Sequence, residues 1–403
     1  MNLVAIPFHD WKKCEHEGFR TRDAHFMQEF SKHPQITKLL IINRPISWAE
    51  MILLRRNRYP QNGKLIYQKE NSYLCQINAQ TYTIDTVIPQ LIRPLWMRRK
   101  WTPYIFGHPQ VRQSIQQAIA YLNMLPDYNM FLSAPLFVPL VQSLSPTAWT
   151  LDAQDNLLKQ PFYQNTPNLR DFYDYCLQNA DVLFANSLET TRWFAQTRPD
   201  AIWVANGVDT TIFTPQEYPR PMDMRSITSP IVGYAGKMQE MVDVIALEQA
   251  FQEFPDVNFV FIGQQLNPKW VKSLWQYPNA YYLGDKPYSI LPQYLASFDI
   301  CMIPYNIERQ HGGDPIKFYE YLAMGKPIVT ADIGGVHKFV DYPQVYISQN
   351  SAQFVQGIQK MVRAVKNNQQ PAIRPIPDEH SWQTKANQII IKLNQLALAK
   401  TKT

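Results

Sequence analysis

The chain has 403 residues, 45% of them hydrophobic and 18% charged, with a net charge of +6. Such a length favours two domains, and such a balance excludes global disorder and supports large apolar cores. No window approaches about 18 uninterrupted apolar residues and no long Lys/Arg run occurs, so neither a membrane-spanning helix nor nucleic-acid binding is expected.

In chain order, a short strand is expected over residues 3–8, a loop to Arg22, a helix over 23–32 and a buried strand over 36–43. Strand patterns recur at 64–68, 73–78 and 82–89, followed by a helix at 110–124, strands at 128–133 and 147–151, a helix at 168–179 and a strand at 181–185. Composition shifts at 214–230, a proline-rich stretch with little apolar periodicity that reads as a linker. Beyond it, strands at 231–234, 257–262, 280–283, 300–303, 328–330 and 345–347 alternate with helices, including 242–254 and 315–324. A Gln/Pro-rich loop at 367–377 precedes a final amphipathic helix at 382–399. Apolar strands alternating with amphipathic helices predict an α/β protein with parallel sheets covered on both faces. Two Rossmann-like αβα domains facing a central cleft are expected, at 1–214 and 229–380, with ligands at the carboxyl ends of the strands.

The chemistry concentrates in residues 312–329, GGDPIKFYEYLAMGKPIV. Gly312 and Gly313 leave backbone N–H groups open to an anion, although a plain tight turn needs the same residues. Asp314 leads into Pro315, which suits the first turn of a helix. That helix would aim its positive end at the glycines, with Lys317 adding a full charge and Glu320 one turn further along the same face. The pattern predicts a grip for a diphosphate and a ribose. Gly325 reads as the residue that ends the helix, and Lys326 and Pro327 as structural. Upstream, PIVGYAGK brings Gly236 and Lys237 to the end of a strand.

These segments resemble the donor domain of GT-B glycosyltransferases, close to glycosyltransferase family 4 and bacterial capsule and exopolysaccharide enzymes. ADVLFANS (180–187), NGVDTTIF (206–213), PIVGYAGK (230–237), FVFIG (259–263), DICMIP (299–304) and PIKFYEYLAMGKPIV carry the resemblance, which spans about 180–340. It implies a glycosyltransferase that uses a nucleotide-diphosphate sugar, UDP- or GDP-linked, and a glycan or lipid-linked acceptor in polysaccharide synthesis. Gly236, Lys237, Gly312, Gly313, Asp314, Lys317 and Glu320 would hold the donor, with no cofactor and no metal. It also implies that the helix at 382–399 completes the N-terminal domain. Many members carry two glutamates eight positions apart; Glu320 matches the second, but Gly312 stands at the first. Sugar identity and anomeric outcome therefore stay open, as do a nucleotide-sugar epimerase and a non-catalytic sugar-binding protein.

In the first half, Asp152 and Asp155 follow the strand TAWTL and are candidate acid–base residues, with helix-cap or loop roles as the plain alternative. His9, Asp10, Arg20 and Arg22 follow the first strand and are candidates for acceptor contact. His108, His311, His337 and His380 lack metal-ligand spacing; His311, beside the glycine pair, is the one to test. Arg98, Arg99 and Lys100, flanked by Trp96 and Trp101, suit an anionic lipid interface, with an exposed loop as the alternative. Cys14, Cys75, Cys176 and Cys301 form no CxxC pair and read as free thiols, giving the expectation of a cytoplasmic protein.

Overall fold

A computed structural model describes residues 1–97, 101–163, 165–310 and 312–400. Two compact units emerge: residues 1–204 with the final helix Trp382–Lys400, and residues 205–381. The division at 204/205 precedes the proline-rich stretch that marks the expected linker. Arg98, Arg99, Lys100 and His311 lie outside the described residues.

The first unit is built on strands β1 (Asn2–Ile6), β2 (Lys38–Ile42), β3 (Ile46–Ser47), β4 (Lys64–Lys69), β5 (Ser72–Gln76), β6 (Thr81–Ile88), β7 (Asn129–Leu132), β8 (Ala148–Ala153), β9 (Val182–Ala185) and β10 (Ile202–Trp203). Their order is β10-β9-β8-β7-β1-β2-β6-β5-β4, with β3 on β6. Leu3, Val4, Ala5 and Ile6 are fully buried, as a strand covered on both faces requires. The sheet is not wholly parallel. β5 runs antiparallel to both its neighbours, β4 and β6, and Glu70, at φ 50°, makes the first of the two turns. A strand-to-strand link of two residues leaves no room for a crossover helix. Helix Trp11–Glu17 occupies the stretch expected as loop, capped by the Asp10 side chain. The final helix buries Ala386, Ile389, Ile390 and Leu393 at helical spacing in this unit, and Trp382 stacks on His25 with ring centroids 4.7 Å apart.

The second unit carries β11 (Ile231–Ala235), β12 (Asn258–Ile262), β13 (Ala280–Tyr282), β14 (Ile300–Ile303), β15 (Ile328–Ala331) and β16 (Val345–Ser348). Every pair is parallel, in the order β13-β12-β11-β14-β15-β16. In both sheets the chain starts centrally, builds to one side, then returns to build the other. The crevice left by that reversal lies beyond β1 and β7 in the first unit and beyond β11 and β14 in the second, the usual ligand positions of open α/β sheets.

Candidate functional site

In the second unit, two loops meet beyond the reversal point. After β11 come Gly236 and Lys237; after β14 comes Tyr305. The Lys317 ammonium donates to the Tyr305 hydroxyl at 2.7 Å, Tyr305 lies 3.1 Å from the Tyr234 hydroxyl, and Tyr234 donates to the Lys237 carbonyl at 2.7 Å. Lys317 also lies over both rings, at 4.9 and 5.3 Å from their centroids. This chain of bonds fixes Lys317 beside the loop that bears Lys237. A Cβ on Gly236 would stand 2.4 Å from Lys317 Cε, and one on Gly263 (φ 131°) would stand 2.1 Å from the Gly236 carbonyl oxygen. Both glycines are needed for the lysine to lie against the loop.

Gly236 does not offer its amide to a ligand: its N–H donates to the Ile262 carbonyl at 2.8 Å. Asp314 is also redirected. Its Oδ2 accepts from the Asn206 N–H at 2.7 Å and the Tyr319 hydroxyl at 2.8 Å, and its Oδ1 from the Gly335 N–H at 3.3 Å. A carboxylate so engaged, and buried, shapes the loop rather than gripping a donor. Gly312 takes φ 72°, a left-handed turn that favours glycine. Pro315 stands one residue before helix Ile316–Ala323, as its N-cap, not within the first turn. That turn still presents N–H groups with no intrahelical acceptor. The helix ends as expected: the Lys326 N–H reaches the Tyr321 carbonyl and the Gly325 N–H the Leu322 carbonyl, with Gly325 at φ 65°. The Lys326 ammonium bonds the Ala296 and Phe298 carbonyls.

Glu320 is buried and accepts a hydrogen bond from the Tyr288 hydroxyl at 2.7 Å. Burial pushes its carboxyl up to about 7, against the Tyr288 hydrogen bond and the Lys317 charge. Because this value is raised, the stability Glu320 contributes is complete below its ordinary range and is lost as pH rises through about 7. Glu320→Gln should therefore be more stable than wild type above pH 7, by up to ~3 kcal/mol, with the gain vanishing near pH 4.5. Thermal unfolding of both proteins across this range checks the expectation.

The first unit holds a cavity of about 800 Å³ lined by Phe8, His9, Lys13, Arg56, Phe137 and Tyr163 among others. His9 follows β1 at the reversal point. Its backbone N–H donates to Asp23 Oδ2 at 2.6 Å, and its ring Nδ1 lies 3.2 Å from both carboxylate oxygens. Burial acts to raise Asp23, but the His9 charge and hydrogen bonds prevail and hold it down to about 2. An ionised carboxylate only accepts, so Nδ1 carries the proton, and in the ring's singly protonated form Nε2 is the nitrogen that can act as a base. Sequence reading named His9 but missed Asp23, which in the first turn of helix Arg22–Phe30 resembles an ordinary dipole partner.

Asp152 does not face the cavity. It is the fifth residue of β8, fully buried, and its carboxylate takes Arg22 Nε at 2.9 Å and Nη2 at 2.7 Å. It anchors Arg22, which is itself buried and lies over the Phe26 ring, so neither is placed to meet an acceptor. Asp155 accepts from Gln160 at 2.7 Å, and burial pushes it up to about 7 against that bond and the His9 and Arg22 charges. Trp101, expected at a lipid interface, is buried and donates to Glu50 at 3.3 Å.

Comparisons with known proteins agree with this architecture. The sequence model of the family described as "Glycosyl transferases group 1" matches residues 229–364. TuaH of Bacillus subtilis (strain 168), named as a teichuronic acid biosynthesis glycosyltransferase, is 25% identical over 178 residues, 42% of this chain and 45% of that protein. The match thus spans less than half of that relative's length. Sucrose-phosphate synthase from Thermosynechococcus elongatus superimposes with a TM-score of 0.70 at 14% identity, covering 99% of this chain and 100% of its own. Anabaena Alr3699/HepE in complex with UDP and glucose gives 0.59 at 16% identity, covering 100% of both chains. An alpha,alpha-trehalose-phosphate synthase (UDP-forming) from Burkholderia vietnamiensis gives 0.62 at 10% identity, covering 99% of both. At such identities the structural likeness speaks for the fold. Residues 229–364 thus match the group 1 glycosyltransferase family by sequence, and the chain has the fold of GT-B glycosyltransferases.

Proposed function

We propose that the protein is a glycosyltransferase that moves a hexosyl group from a nucleoside-diphosphate sugar to a hydroxyl of a glycan or lipid-linked acceptor in polysaccharide synthesis. The observation that carries this reading is Lys317, fixed beside the loop that bears Lys237 and with its charge acting on the buried Glu320, at the reversal point of the second sheet and inside the segment that matches the group 1 family. Lys317, Lys237 and the first turn of helix Ile316–Ala323 supply the positive charge that a departing diphosphate needs. Glu320 accepts the ribose hydroxyls, and Gly312 and Gly313 let the loop approach the phosphates. The UDP complex of Alr3699/HepE supports UDP-linked donors as the first to try.

On the acceptor side, the cavity of the first unit receives the hydroxyl-bearing substrate. His9 Nε2 takes the hydroxyl proton as the oxygen attacks the sugar carbon and the diphosphate leaves. Asp23 orients the ring and stabilises the imidazolium that forms. Asp155 adds a nearby carboxyl whose protonation changes near neutrality.

The test is a screen of UDP- and GDP-sugars with oligosaccharide and polyprenyl-linked acceptors, with and without EDTA. Release of nucleoside diphosphate that requires an acceptor and survives EDTA is expected. Conversion of the donor sugar with no acceptor present would instead identify an epimerase.

A further inference from the structure

Strands β3 and β6 pair in parallel, Ile46 with Val87 and Ser47 with Ile88. Whatever follows each of them therefore leaves from the same end. After β3 comes helix Trp48–Leu53; after β6 comes residues 89–92 and helix Arg93–Met97. The Ala49 N–H donates to the Gln90 carbonyl at 3.2 Å, which ties the two segments together at their start.

Both segments turn large apolar side chains to solvent. Ile52, Leu53 and Leu54 are 60–65% exposed on the first, and Ile92 and Trp96 are 79% and 82% exposed on the second. Isolated exposed leucines need no explanation, but this many within two adjoining stretches form a patch. The polar residues among them carry one sign. Arg55 and Arg58 are exposed beside the first stretch, and Arg93, also exposed, lies in the second. No Asp or Glu occurs between Glu50 and Glu70, or between Asp85 and Asp127. Glu50 itself faces inward, bonded by Arg44 and capping the helix with Ser47. Apolar side chains next to arginines, with a tryptophan among them and no acid to repel phosphate, match the layered chemistry of a membrane interface, where lipid tails meet phosphates.

We propose that this surface, helix Trp48–Leu53 with residues 54–58 and 91–97, docks the first unit on an anionic phospholipid membrane as a peripheral contact. Ile52, Leu53, Ile92 and Trp96 enter the interface between headgroups and tails, and Arg55, Arg58 and Arg93 pair with lipid phosphates. Among the described residues no helix is long and apolar enough to cross the membrane, so the contact is interfacial. The inference does not depend on the donor reading, because binding is measured without turnover.

The experiment is co-sedimentation of the full chain with vesicles of 1:1 phosphatidylglycerol and phosphatidylcholine, and with phosphatidylcholine alone, at low and high salt. Binding to the anionic vesicles that weakens in high salt is expected. Arg55→Glu with Arg58→Glu should reduce it by at least about fivefold per residue. Ile52→Glu with Trp96→Glu should abolish it, with a thermal transition and UDP binding unchanged because both side chains are exposed. Wild-type protein that remains in the supernatant with anionic vesicles would overturn the proposal. So would variants that sediment as well as wild type. A self-association by analytical ultracentrifugation that Ile52→Glu breaks, without any vesicle binding, would overturn it in favour of a second copy of the chain.

Discussion

His9→Asn is expected to lower turnover by ~10²–10⁴-fold, the usual contribution of a positioned general base, while leaving donor binding intact. The separation follows from the architecture: His9 belongs to the first unit, and Lys237 and Lys317, the lysines proposed to hold the diphosphate, to the second. Asp23→Asn is the sharper variant. It keeps the shape of the side chain, but an amide can donate to the ring and favour the tautomer with its proton on Nε2, where the base must act. Its turnover should fall in the same range. Since Asp23 is held down to about 2, it stays ionised throughout the working pH range, and the stability it contributes is lost only as pH falls from its ordinary value through about 2. Wild-type turnover in His9→Asn, measured with donor affinity in parallel, would remove His9 from the chemistry.

Asp152→Ala is expected to destabilise the protein by ~3–5 kcal/mol, because it leaves the buried Arg22 guanidinium without its partner. For a unit of this size that lowers the melting temperature by on the order of 10 °C. Asp152→Asn should lose most of the same interaction. Any loss of activity in either variant should track the loss of folded protein, in contrast to the His9 variants. The double variant Arg22→Met with Asp152→Leu should recover much of the stability, since removing both charges also removes the cost of burying them. Full stability in Asp152→Ala would show that the pair does not hold the first unit together.

The sequence made the second unit nearly transparent. Its six strands are short apolar runs separated by helices, so period and punctuation agree, and the Gly325 helix stop is a local matter of backbone angle. The Lys317–Glu320 helix was legible for the same reason. What escaped were pairings over distance. Asp152 lies 130 residues from Arg22. The strand TAWTL continues through Asp152 and Ala153, which turns an expected loop carboxylate into a core ion pair. The engagement of Asp314 with Asn206 depends on a chain segment 108 residues away. The antiparallel link between β4 and β5 did leave a signal, the polar turn Glu70–Asn71 between two strand patterns, which is too short for a crossover. The His9–Asp23 pair left a fainter one: an aspartate in the helix pattern DAHF, otherwise suited to burial, needs a partner when buried.

The account rests on a nucleoside diphosphate seated against Lys237, Lys317 and the start of helix Ile316–Ala323. Isothermal titration of UDP and GDP into wild type and Lys317→Ala measures this directly. Saturable binding of at least one diphosphate to wild type, weakened about tenfold or more by the loss of a charge-assisted phosphate contact, is the predicted result. No heat with either ligand, or equal affinity in the variant, would contradict it.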